Sequence, residues 1–461
     1  MITTDFFRKQ QEAGRIVDRV NSFFDDFQIG TLLNKAGIKK LRGATPRAVL
    51  TAIFLLPFIG ANFYRGIVQN DALGFKKDAA YALLKNPRHN WRTFFQGVAR
   101  VIVRFMEVLT SERREKVLII DDSVYNRGRS KKVELLSWVF DHVLGKSVKG
   151  FKLLLLGWSD GASFVPLDFV LCAATEAKKL VCDLAKEMDH HCCGYRRRQE
   201  ARHKATELLV PLLKRAKALG MWADYLLMDS WFAFPKVLAE LHALLPVICR
   251  AKDLPNVRYN FQGQEVRLGR LYRLARKRPG RAKYLASVVV ESHGLALKVV
   301  FVRHRECKKQ WVALLSTDTE LAETEIVRLY GRRWDIEECF KMLKSTLNLE
   351  REMESRDFDA LIGHITVVLC RYVFLAFEQR CHDDPRTLGS LFYACCEEQK
   401  DLGFLEALGR LLTSAINKAQ QGGQILETAI TALVEILVTE AVDMLRNKRQ
   451  FTKNKQVITS S

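Results

Sequence analysis

Four apolar residues, Val117-Leu118-Ile119-Ile120, run directly into two carboxylates, Asp121-Asp122, and a run this short and apolar reads as a buried strand. Phe151 to Trp158 and Phe164 to Cys172 read as two further strands, joined by the turn Ser159-Asp160-Gly161-Ala162, so the three predict an antiparallel meander. A helical stretch from Glu176 to Leu219 follows. Tyr225-Leu226-Leu227-Met228-Asp229 is again a strand that ends in a carboxylate, succeeded by a helix from about Phe234 and a strand from Pro246 to Arg250. The resulting alternation is a mixed α/β layout.

The flanks have a different pattern. Residues 1–110 read as helices, with a periodic run near Phe7 to Phe27 and with Thr45-Pro46 as cap and first residue of a helix toward Phe58. The segment Thr45 to Phe58 is a candidate helix-turn-helix element. Residues 253–317 read as short strands (Ala286 to Glu291, Leu295 to Val302, Gln310 to Leu315), an all-β insertion between two parts of the core, residues 111–252 and 318–385. Beyond Leu321 the pattern is helical (321–347, 357–379, 387–418, 424–446), so residues 386–461 form a helical C-terminal domain whose apolar last helix suits dimerisation.

Lys and Arg number 73 against 52 Asp and Glu, a formal charge of +21, and such a field attracts a polyanion, with nucleic acid the first candidate. The clusters Arg196-Arg197-Arg198 and Arg267 to Lys283 are either solvated surface or phosphate tracks, and DNA contact is the favoured reading. The longest apolar stretch, Ala48 to Tyr64, is short for a membrane span and carries Pro57, Gly60 and Asn62, so it is expected to be buried helix. No secretory leader is expected at Met1-Ile2-Thr3-Thr4-Asp5, and eleven scattered cysteines without a C-x-x-C pair suit a reducing, cytoplasmic setting. His190, His191, Cys192 and Cys193 lack zinc-site spacing.

On a helix running from Tyr330 to Lys344, at about 100° per residue, Tyr330, Arg333, Glu337, Lys341 and Lys344 fall on one face at the edge of the apolar stripe. Such a face is either a solvated surface with i,i+4 pairs or the rim of a cleft where one carboxylate binds metal beside a docked phosphate chain. Asp122 and Asp229, each at the end of an apolar strand, could complete a two-metal site with Glu337. Strand alternation turns Asp121 to the face opposite Asp122, which makes it a structural or supporting acid.

Tyr330, Arg333, Glu337 and Lys344 match the Y-(2)-R-(3)-E-(6)-K signature, and the chain resembles the bacterial insertion-sequence transposases of the "insertion sequence four" family. Asp122 before Ser123 resembles that family's first catalytic aspartate. Asp229, with Phe234 five positions on, resembles the second, although Trp231 stands where the family usually has Gly. Trp311-Val312-Ala313-Leu314-Leu315-Ser316-Thr317 resembles the segment whose Trp handles a flipped base, and Trp334 lies beside the signature face. The resemblance implies an RNase H-like catalytic domain holding Mg2+, with Mn2+ a substitute, on Asp122, Asp229 and Glu337. It further implies a homodimer synapsing two double-stranded DNA ends, cut-and-paste transposition through a hairpin, no membrane partner and a nucleoid-associated location in the cytoplasm. Tyr330, Arg333, Lys341, Lys344, Trp311, Trp334 and Arg196 to Arg198 would touch DNA. The alternatives are an RNase H-like nuclease without strand transfer and a non-catalytic DNA-binding remnant.

Overall fold

The computed structural model describes residues 16–40, 43–70, 73–111, 114–184, 188–279, 284–304, 310–381 and 387–396. Among the described residues five α-helices precede the first strand: α1 (Ile16–Asp26), α2 (Ile29–Lys35), α3 (Pro46–Leu55), α4 (Lys77–Lys85) and α5 (Trp91–Val108). The Thr45 hydroxyl accepts the Ala48 N–H at 3.2 Å, and Pro46 takes the first turn, where its missing N–H costs nothing. Asn90 caps α5 in the same way through the Thr93 N–H at 3.1 Å, and α5 buries a stripe of Phe94, Phe95, Val98, Ile102 and Met106.

Among the described residues eleven strands form one sheet. They are β1 (Val117–Asn126), β2 (Ser137–Asp141), β3 (Lys146–Ser159), β4 (Phe164–Cys172), β5 (Tyr225–Met228), β6 (Val247–Arg250), β7 (Tyr259–Phe261), β8 (Gln264–Val266), β9 (Ala286–Ser292), β10 (Leu295–Arg303) and β11 (Trp311–Ser316). The sheet runs β2-β3-β1-β5-β6-β11-β10-β9-β7-β8. Along the edge of β3 away from β1, β2 pairs with the first half and β4 with the second. Strands β1, β5 and β6 are mutually parallel, while β3 is antiparallel to both β1 and β4. The chain is thus α/β with a mixed sheet.

Several expectations are revised. The meander gains β2, so a hairpin reaches out from the end of β1. The region from Glu176 to Leu219 is not one helix but a 3-10 turn, α6 (Cys193–Ala201) and α7 (Ala205–Ala218), with α8 (Pro235–His242) following β5. The insertion is not all-β: α9 (Leu268–Leu274) buries Leu268 and Leu271, an i,i+3 pair obscured in sequence by the arginines between and after them. Nor is the insertion set apart, because β11 pairs antiparallel with β6 and extends the same ladder.

The helical stretch predicted at 321–347 divides into α10 (Glu323–Gly331) and α11 (Trp334–Ser345), with a turn at Arg332 and Arg333. Then α12 (Phe358–Cys381) crosses the interior. It is long and apolar enough to cross a membrane, with mean hydropathy 1.9, but its apolar window is wholly buried within the protein. Phe374 meets Phe23 and Phe54 at ring-centroid distances of 5.4 and 5.8 Å, and Phe377 meets Phe27 at 5.0 Å, so α1, α3 and α12 share one core.

The buried Arg371 donates to the Phe54 and Ile53 carbonyls at 3.0 and 2.6 Å and pairs with Glu352 at 2.7 Å. These bonds satisfy carbonyls at the C-terminal end of α3, whose Val49, Leu50, Ile53 and Phe54 are buried. Arg47, the basic residue of the candidate helix-turn-helix element, pairs with Asp25. Most of the proposed C-terminal domain, including its last helix, lies outside the described residues.

Candidate active site

The strand register determines which carboxylates meet. In the parallel pair of β1 and β5, Ile120 stands opposite Met228, so the residues that follow, Asp121 and Asp229, lie close together just past the last paired position, and the charge of Asp229 acts on Asp121. Asp122 points to the opposite face, where its carboxylate pairs with Lys152 of β3 at 2.8 Å. The structure therefore places Asp121, not Asp122, on the side of the sheet that meets α11 through Arg333. The alternation between the two was read correctly from sequence; which face carries the site depends on pairing with a strand about a hundred residues away.

Glu337 lies in the first turn of α11. Arg333, at its N-terminal edge, donates to Asp121 at 3.0 Å, and its other terminal nitrogen pairs with Glu337 one turn along. Asp121, Arg333 and Glu337 form a continuous bridge from sheet to helix, and Asp229 follows β5 as the first residue of the turn leading into the 3-10 segment Ser230–Phe232. Burial pushes the Asp121 carboxyl up to about 7; Arg333 opposes the shift, while the charges of Asp122 and Asp229 reinforce it. Burial likewise raises Tyr330 and Cys249, and Asp229 adds to both. Arg333 is held charged against its own burial by Tyr330, Asp121 and Glu337.

Tyr330 is half-buried, with Arg333 over its ring at 5.7 Å from the centroid. Arg333 thus links Asp121 and Glu337, and Tyr330 lies beside Arg333. Lys341 is exposed, and half-buried Lys344 lies 3.9 Å from Glu350, with its pKa lowered chiefly by burial. Trp334 is 60% exposed. Trp311 instead packs against Tyr272 and Phe301, at ring distances of 4.9 and 5.1 Å.

The arginine cluster is also revised. Arg198 is buried and pairs with Glu134 at 2.7 Å and Asp359 at 2.8 Å, while Arg197 pairs with Asp359 and donates to the carbonyls of Pro87 and His89. These two tie α6 to α12; only Arg196 is exposed. A run of like charges carries no local sign of partners so distant in sequence.

The donor set of Asp121, Asp229 and Glu337 is all oxygen, so its chemistry fits a hard divalent cation. Among the described residues no three His, Cys, Asp or Glu side chains converge closely enough to hold an ion as they stand, and Arg333 lies between Asp121 and Glu337.

A family described as DDE superfamily endonuclease matches residues 72–286, somewhat less than half of the chain. The match supports a DDE-type transposase family. It covers β1 through the start of β9, including Asp121, Asp122 and Asp229, while Glu337 lies beyond it. No curated protein matches the chain. The mixed α/β fold is consistent with a nuclease-like DDE domain, and a DDE-type chain implies a nuclease-type enzyme acting on nucleic acid.

Proposed function

We infer that this chain is a DNA transposase that cleaves the ends of an insertion sequence and joins them to target DNA, with Asp121, Asp229 and Glu337 as its carboxylates. The observation carrying this reading is the β1–β5 register, which makes Asp121 and Asp229 neighbours, together with the Arg333 bridge from Asp121 to Glu337. An RNase H-like core is supported by the order β4-β3-β1-β5-β6, with β1, β5 and β6 parallel and β3 antiparallel. Residues 1–110 would contribute to end recognition, residues 253–317 would be the insertion, and residues 386–461 would close a homodimer in the nucleoid-associated, cytoplasmic complex.

Asp121, Asp229 and Glu337 would hold Mg2+ or Mn2+, which when bound would activate an attacking oxygen and neutralise charge on the phosphodiester. Arg333, bonded to both, would orient Asp121 and Glu337. Lys341, Lys344 and the exposed Arg196 would meet phosphate, and Trp334 would stack on the distorted strand of a hairpin intermediate. End-labelled DNA carrying the flanks of the gene tests the reading: nicking is expected with magnesium and none with EDTA, and Asp121→Asn, Asp229→Asn and Glu337→Gln should each abolish it while DNA binding survives. Nicking unaffected by all three substitutions removes the site.

The endonuclease description of the matching family favours, as a second reading, a nuclease without strand transfer. Joined products formed from a pre-cleaved end and a plasmid would decide against it.

A further inference from the structure

The hairpin from β2 to β3 projects beyond the end of β1, and its outer face is aromatic. Trp138 and Phe140 alternate with buried Val139, and each is 47% exposed. Phe140 meets His142 at 5.0 Å in an edge-on contact, and His142 meets Trp231 at 5.3 Å. Trp231 is 46% exposed and lies two residues after Asp229, on a short turn whose neighbour Phe232 is wholly buried and anchors it. A row of exposed rings thus starts beside a site carboxylate and continues along the hairpin.

Exposed rings in a row need a partner, and the surrounding charge indicates its chemistry. The Lys252 ammonium sits over Trp231 at 4.7 Å from the ring centroid. Lys149 is the cross-strand partner of Trp138 and donates to the Ser130 carbonyl at 3.2 Å, which draws in the loop carrying exposed Arg129, Lys131 and Lys132. Lys146 is exposed at the turn. Flat π-surfaces interleaved with cations are what a single-stranded polyanion with stackable bases requires, and a purely apolar protein partner would leave these ammonium groups without counter-charge.

We propose that Trp138, Phe140, His142 and Trp231, flanked by Lys149 and Lys252, form a stacking platform for unpaired nucleobases of single-stranded DNA leading away from the carboxylates. This rests on the reading of the chain as a DNA-cleaving enzyme and adds a site for the unpaired strand that neither Trp311 nor Trp334 supplies. Stacking does not depend on base sequence, so the platform would hold any displaced strand.

The test uses the full chain and fluorescence anisotropy with two probes, a fluorescein-labelled oligothymidylate and a duplex of equal length. Trp231→Ala and Phe140→Ala should each weaken oligothymidylate binding about tenfold, the range of one lost base stack, while duplex affinity stays within about twofold. Trp231→Phe keeps a ring and should retain most of the affinity. Unchanged melting temperatures show that the variants fold; a variant that melts early is replaced by Phe140→Leu, with the same expectation for the two probes. Oligothymidylate binding equal to the parent, an equal loss on both probes, or a change in sedimenting mass without a change in DNA binding overturns the platform, the last by showing a protein interface. Metal-dependent nicking is read separately, so a protein that discriminates the probes without cutting keeps the platform and loses the cleavage reading.

Discussion

Asp121 and Asp122 are adjacent in sequence yet stand in unlike surroundings. One faces Arg333 and the charge of Asp229, the other Lys152. Asp121→Asn is expected to lower cation affinity by more than roughly 100-fold, the loss that removing even an outlying partner of a ligand can cause, whereas Asp122→Asn should stay within about tenfold. Calorimetric titration with Mn2+ measures both. With Asp121 raised to about 7, the cation-free carboxyl carries a proton below that pH, and a cation must displace it. Affinity should therefore rise with pH, at most about tenfold per unit, up to about 7 and then level. Proton release on binding, detected in buffers of different ionisation enthalpy, should disappear in Asp121→Asn. Alternation along β1 was legible from the apolar run alone; the side that holds the site was not, because it depends on a pairing with β5 that no local pattern encodes.

Among the secondary-structure elements, strands β1, β3, β4, β5, β6, β9, β10 and β11 were legible as apolar runs bounded by polar or turn residues. Strand β2 escaped because its apolar run, Trp138-Val139-Phe140 between Ser137 and Asp141, is shorter than the run Val117 to Ile120 that marks β1. The division between α10 and α11 also left little trace beyond Gly331, and it alters the face expected of a single helix. Helix α6 is held by its arginines. Arg198→Ala removes the partner of two buried carboxylates and should destabilise the protein by about 3–5 kcal/mol. Arg196→Ala, on the exposed side, should cost no more than about 0.5 kcal/mol. Denaturant titration of both variants checks the contrast; equal effects would mean that the α6 arginines share one environment.

For the molecule as a whole, a charge of +21 predicts duplex binding dominated by counterion release. Affinity should fall on the order of 10³-fold between about 50 and 200 mM salt, and a flat response in anisotropy would rule out extensive phosphate contact. The larger consequence comes from the sheet. Strand β6 bonds to β5 on one side and β11 on the other, so one hydrogen-bonded ladder runs from β1, which carries Asp121, and β5, which leads into Asp229, to β9, β10 and β11. A plate of this kind cannot fold around its substrate; deformation falls on the double helix instead. Cutting should then depend on how easily the DNA kinks at positions the protein never touches. Placing a flexible TA step at the cleavage point should speed nicking relative to a stiff A-tract in otherwise identical substrates, a preference written in the mechanics of DNA rather than in hydrogen bonds to its bases.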